Sequence, residues 1–195
     1  RVTSATSIKN LRGTNPLEAE AVVEEVWKRL NDPDRQKRRK SGAREGAESI
    51  IVVTFNAPQR DLIKALLEKK EGESAGLVSR AFKEIKDEEN GVLLERPQLK
   101  VINLESVQGA EAETVMFSTA FTKKGAGHAN PDDPAVPAQW GPVSDPGGYR
   151  RLNVAITRAK KEMMVFCSFD PKDMRIKPTS PRDIKLVQKF LEFAK

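Results

Sequence analysis

The chain is 195 residues long, enough for one well-buried domain, and its 38% hydrophobic and 32% charged residues include no apolar run near the roughly 18 residues of a membrane span. Cys167 is the only cysteine, which excludes an internal disulfide, and with one histidine the usual zinc site is excluded as well. Thirty-four Lys and Arg against 28 Asp and Glu leave +6, a modest excess that favours polyanionic partners.

A soluble, cytoplasmic or nucleoid-associated protein without membrane contact is the expectation. The chain starts at Arg1, with no methionine, signal peptide or lipidation motif, and reads as a single domain, 1–195, excised from a larger protein. Asn15-Pro16-Leu17-Glu18 has the form of a helix start, with Asn15 as cap and Glu18 closing a capping box. The apolar spacing then predicts a helix to about Leu30, with Trp27 in the core. Residues 34–46 form a basic loop too polar to pack on its own. The β-branched run 50–55 suits a strand covered on both faces, and a helix over 58–70 follows. A further helix is expected at 75–89, then strands at 99–104 and 114–118 around the polar stretch 105–113. Prolines and glycines make 122–148 a long loop. The chain closes with a helix at 148–160, a strand at 163–167 and a helix from Pro181 capped by Ser180. Strands alternating with helices imply an α/β fold with a parallel, doubly wound sheet.

Ligands of such sheets sit beyond the carboxyl ends of the strands, which directs attention to three places. Gln59 and Arg60 fall in the first turn of the helix after the 50–55 strand. After Leu104, Gly109 would let a ligand approach the backbone and Glu111 would accept hydrogen bonds. In Arg151-Leu152-Asn153-Val154-Ala155-Ile156-Thr157-Arg158-Ala159-Lys160, the spacing puts Arg151 and Arg158 on one flank of a helix, where two guanidinium groups suit phosphate recognition.

At these residues the chain resembles superfamily 1 helicases. Residues 101–118, with Gln108-Gly109-Ala110-Glu111, are similar to motif V; 151–160 resembles motif VI almost letter for letter; 52–63, with Gln59-Arg60, resembles motif IV. The branch it is most similar to is the up-frameshift RNA helicase-like group, and the resemblance runs from about Thr14 to Phe169. It implies a RecA-like, P-loop NTPase-type three-layer domain, the second motor domain of an ATP-dependent helicase acting on single-stranded DNA or RNA. It further implies that Arg60 and Arg158 contact the γ-phosphate, with Arg158 the transition-state finger. Gly109 would approach that phosphate through its backbone, and Gln59, Glu111 and Arg151 would belong to the ATP site. Thr54 and Ser106 would line the nucleic-acid track.

The sequence also departs from a complete motor. No Gly-x-x-x-x-Gly-Lys-Ser/Thr occurs, nor a strand ending in the acidic pair that holds magnesium, so the chain has no Walker A loop of its own. By the resemblance, ATP and Mg2+ belong mainly to the first motor domain, and this chain alone is expected to be inactive. Motif VI ends in Lys160 where an arginine is common. The alternative function is a catalytically inactive module that binds nucleic acid or protein on the same fold. Trp140 either stacks on a base or pins the long loop, Cys167 reads as a buried small hydrophobe, and His128 has no visible partner.

Overall fold

The computed structural model describes residues 13–34, 49–72, 76–83, 85–86, 93–95, 98–122, 140–174 and 176–195. The basic loop beyond Asp34, His128 and most of the 122–148 loop lie outside the described residues. Helix α1 (Pro16–Asn31) starts where the cap was expected: the Asn15 side chain accepts from the Glu18 N–H, and Pro16 occupies the first turn. It buries Ala19, Val22, Val23, Val26 and Leu30. Trp27 is only half-buried at the edge of that stripe, with the Lys70 ammonium 5.1 Å above its ring.

The order continues β1 (Ile50–Thr54), α2 (Ala57–Glu71), α3 (Leu77–Phe82), β2 (Ile85–Lys86), β3 (Leu93–Glu95), β4 (Leu99–Asn103), β5 (Ala112–Ser118), α4 (Gly148–Ile156), β6 (Ala159–Phe166) and α5 (Arg182–Phe193). The main sheet runs β4-β1-β5-β6 with every neighbouring pair parallel, while β2 and β3 form a separate antiparallel pair. This is the α/β, RecA-like arrangement expected. Side chains alternate across β1: Ile50 and Val52 face a core with α1, α2 and α3, whereas Ile51 and Val53 face a second core with α4 and α5. Both faces of β1 are therefore dry, which is why its sequence is β-branched throughout.

Three expected boundaries change. The helix over 75–89 is only α3: it buries just Val78 and Ala81, the backbone turns extended at Lys83, and Ile85–Lys86 is a strand. The sequence signal for this was Asn90-Gly91, a hairpin-favouring pair. The helix over 148–160 stops at Ile156, and β6 begins at Ala159 because residues from Ala159 onward pair with β5. Ser180 does not cap α5; its hydroxyl accepts from the Lys177 N–H at 2.9 Å, and Pro181 holds the cap position without a side-chain bond.

Trp140 is fully buried among Phe55, Phe121 and Phe169, with ring centroids 5.9, 4.5 and 5.5 Å away, so it pins the segment and has no face left for a base. Cys167 is half-buried against the Phe169 carbonyl, and burial pushes its thiol up to about 12, consistent with a small hydrophobe. Trp140→Ala is expected to remove about 3–5 kcal/mol of stability. The denaturant midpoint reads this directly, and an unshifted midpoint would show that the aromatic cluster does not anchor the sheet.

Candidate functional site at two edges of the sheet

The chain leaves β1 on one face of the sheet, through α2, and leaves β5 on the other, toward α4, so the topological switch point lies between the carboxyl ends of these two strands. That crevice is filled by the start of α1. The Glu18 carboxylate accepts from Ser118 Oγ at 2.7 Å, Thr119 Oγ1 at 3.0 Å and the Ala120 N–H at 2.8 Å. Ala120 sits at a left-handed φ of 67°, a conformation the Glu18 bond helps to hold. Beside it, Gln59 accepts from the Asn15 N–H and donates to the Asn15 carbonyl and Ser118 Oγ. The expected capping box is not formed, because Glu18 serves β5 and the Asn15 N–H goes to Gln59.

The opposite, amino edge is built differently. After β4 the eight residues 104–111 carry the chain back along the sheet, so Gly109 and Glu111 lie at the start of β5 rather than at a carboxyl end. Gly109 takes a φ of +77°, and a Cβ placed there would meet nothing within 4 Å, so its backbone faces open space. The Ala112 N–H donates to the Arg158 carbonyl at 3.1 Å, and Glu111 pairs with Lys160 at 3.4 Å. The β5–β6 register shifts between Ala112 and Thr114, an irregularity immediately after Arg158 of the kind that re-aims side chains near functional sites. The Arg158 guanidinium lies back on its own turn, with Nε donating to the Val154 carbonyl at 2.9 Å and a 3.3 Å contact to Thr157 Oγ1.

The candidate residues therefore divide. Gly109, Glu111 and Arg158 come together at the amino edge, joined by Lys160, which was noted in the sequence only as a departure. Arg158 is not on the helix with Arg151: α4 ends at Ile156 and Arg158 sits in the turn before β6. Arg151 is in the first turns of α4, donating to the Pro142 carbonyl at 2.9 Å with Asp145 at 3.9 Å. Arg60 and Gln59 are at the carboxyl edge, about 20 Å from Ala112 along the seven residues of β5. Arg60 is paired with Asp61 at 2.8 Å, and Gln59 is fully enclosed. Thr54 is also fully buried and spends its hydroxyl on the Asn56 carbonyl at 2.7 Å, whereas Ser106 is exposed and donates to Asn103 Oδ1 at 2.8 Å. Among the described residues no group of three or more His, Cys, Asp or Glu is placed to hold a metal ion, and no helix is long and apolar enough to cross a membrane.

Comparison with known proteins decides the family, since the AAA domain model matches residues 3–170. The chain belongs to the AAA domain family. This AAA domain is 33% identical over 144 residues to the uncharacterized ATP-dependent helicase MG140 of Mycoplasma genitalium, covering 74% of this chain and 11% of that protein. It is 34% identical over 122 residues to the MG140 homolog of Mycoplasma pneumoniae, also named an uncharacterized ATP-dependent helicase, covering 63% of this chain and 9% of that protein. The chain thus spans about a tenth of the length of the curated relatives it matches.

In this AAA domain the Glu18 carboxyl is raised from 4.5 to about 7, foremost by burial, which outweighs its hydrogen bonds. Between these values the folded state holds a proton that the unfolded chain has lost, so Glu18's contribution to stability is full below 4.5 and is lost as pH rises through about 7. Unfolding midpoints measured across that window should fall for the wild type and be flatter for Glu18→Gln. Equal slopes for the two would show that Glu18 does not carry the dependence.

Proposed function

We propose that this chain is the C-terminal motor domain of a superfamily 1, up-frameshift-like, cytoplasmic ATP-dependent helicase or translocase, and that it presents an arginine finger from its amino edge. The single observation that carries the reading is the Ala112 to Arg158 backbone bond, which brings the segment with Gly109 and Glu111 to the turn that holds Arg158. The two Mycoplasma relatives, both named as ATP-dependent helicases, support it.

The residues present fit half of an ATP site. Gly109 offers an open backbone to a phosphate, Arg158 and Lys160 offer cations, and Glu111 offers an acceptor. The described residues hold no acidic cluster for magnesium and the sequence has no phosphate-cradling loop, so the reading assigns both to the first motor domain of the same polypeptide. On that domain's approach, Arg158 swings from the Val154 carbonyl to the phosphoryl group and neutralises its developing charge. Exchange of neutral carbonyl and hydroxyl acceptors for an anionic phosphate oxygen favours the swing. Arg60, Gln59 and Thr54 take no direct part; they shape the carboxyl edge, where exposed Ser106 faces the DNA or RNA strand.

The test is nucleic-acid-stimulated ATP hydrolysis by the longer protein with both motor domains. Arg158→Ala is expected to lower the rate by about 10³–10⁵ with nucleotide affinity kept, and Arg60→Ala to leave it within a few-fold. An unchanged rate in Arg158→Ala removes the finger. A wild type without stimulated hydrolysis makes the domain a binding platform instead.

A further inference from the structure

Helix α4 opens beside a cluster that the proposed ATP half-site does not use. Gly148 is packed so closely on the preceding turn that a Cβ there would lie 2.4 Å from the Val143 carbonyl oxygen, which fixes where α4 begins. The Gly147 N–H donates to Asp183 Oδ2 at 3.1 Å, tying this start to the first turn of α5. This bond and the Gly148 packing hold Tyr149 of α4 next to Arg182 of α5. The guanidinium carbon of Arg182 lies 5.5 Å from the Tyr149 ring centroid and that of Arg150 lies 5.9 Å from it, with Arg150 Nε 3.5 Å from the phenol oxygen.

Like Arg158, and unlike Arg29, Arg60 and Arg151, these two guanidinium groups have no carboxylate partner among the described residues. Arg29 is paired with Glu162, Arg60 with Asp61 and Arg151 lies near Asp145, whereas among the described residues Arg150 and Arg182 engage only the Tyr149 ring and hydroxyl. Both are exposed, and Tyr149, the only tyrosine, is half-buried between them. The cluster stands at the carboxyl edge: the turn leading to it packs on β1's end, where a Cβ on Gly141 would be 3.2 Å from the Phe55 carbonyl oxygen. It is thus on the opposite edge from Arg158.

We propose that Tyr149, Arg150 and Arg182 form a clamp for single-stranded nucleic acid, the ring stacking on a base and the two guanidinium groups taking the flanking phosphates. The chemistry selects this ligand. Two exposed cations without a described carboxylate partner call for a polyanion, and a half-buried aromatic ring that they flank calls for one with accessible π-faces to take a guanidinium's place on the ring, which duplexes hide and acidic peptides lack. The clamp deepens the nucleic-acid side of the helicase reading and is independent of the finger, because binding is measured without nucleotide.

The experiment is anisotropy of fluorescein-labelled oligo(dT) and oligo(U) on this 195-residue chain as a function of salt, with melting curves to verify that each variant is folded. Tyr149→Ala is expected to weaken binding about 5- to 150-fold, and Tyr149→Phe to leave it near wild type. The Arg150→Ala and Arg182→Ala variants should each lower the slope of log affinity against log salt by about 0.7. Lys28→Ala, an exposed cation on α1, should do neither. The clamp is overturned if the wild-type chain binds neither oligonucleotide, if Tyr149→Ala binds like wild type, or if base-free polyphosphate competes as well as the oligonucleotides. Oligonucleotide binding that depends on Tyr149, in a parent protein without ATP hydrolysis, would keep the clamp and remove the motor; hydrolysis with Tyr149 indifferent would do the reverse.

Discussion

Parallel strands cannot be joined by a tight turn; each must be followed by a segment that returns along the sheet before the next begins. Here those returns cover both faces of β1 and β5, burying Ile50 and Val52 on one side and Ile51 and Val53 on the other. The same constraint gives the domain two chemically different edges. At the carboxyl edge the switch point is occupied by Asn15, Glu18 and Gln59, a buried hydrogen-bonded set that fixes the strand ends. At the amino edge the return after β4 delivers Gly109 and Glu111 to the turn that carries Arg158.

Local chemistry explains what could be read without coordinates. A five-residue β-branched run buried on both faces has few alternatives to a central parallel strand, and Asn15-Pro16 specifies a helix start through groups within three residues. Glu18 was legible as a first-turn acid, but its partners are Ser118, Thr119 and Ala120, a hundred residues on, so its burial was not. The boundary at 157–159 was hidden because Ala159 fits the stripe of Leu152, Ala155 and Ile156 as well as it fits a strand; pairing with Ala112 settles it. The likeness to motifs V and VI pointed to Arg158 and Glu111, whereas the edge each residue occupies depends on the path of residues 104–111, which carries no periodicity to reveal it.

The division of edges gives the proposed motor a simple layout. A finger that rests on its own helix turn needs only a modest rearrangement to reach a phosphate, while the strand-binding edge lies about 20 Å away across β5. In that proposal the central strands, packed on both faces, connect the two, so that closure on a nucleotide would displace the far edge as one body.

In the proposed motor, nucleotide meets this domain at its amino edge. The most direct measurement is a structure of this domain joined to the proposed first motor domain, with a non-hydrolysable ATP analogue and magnesium. The Arg158 guanidinium is expected within hydrogen-bonding distance of the γ-phosphate, released from the Val154 carbonyl, with Arg60 still on Asp61. A nucleotide lodged instead at the carboxyl edge, against Asn56 and Arg60, would contradict it.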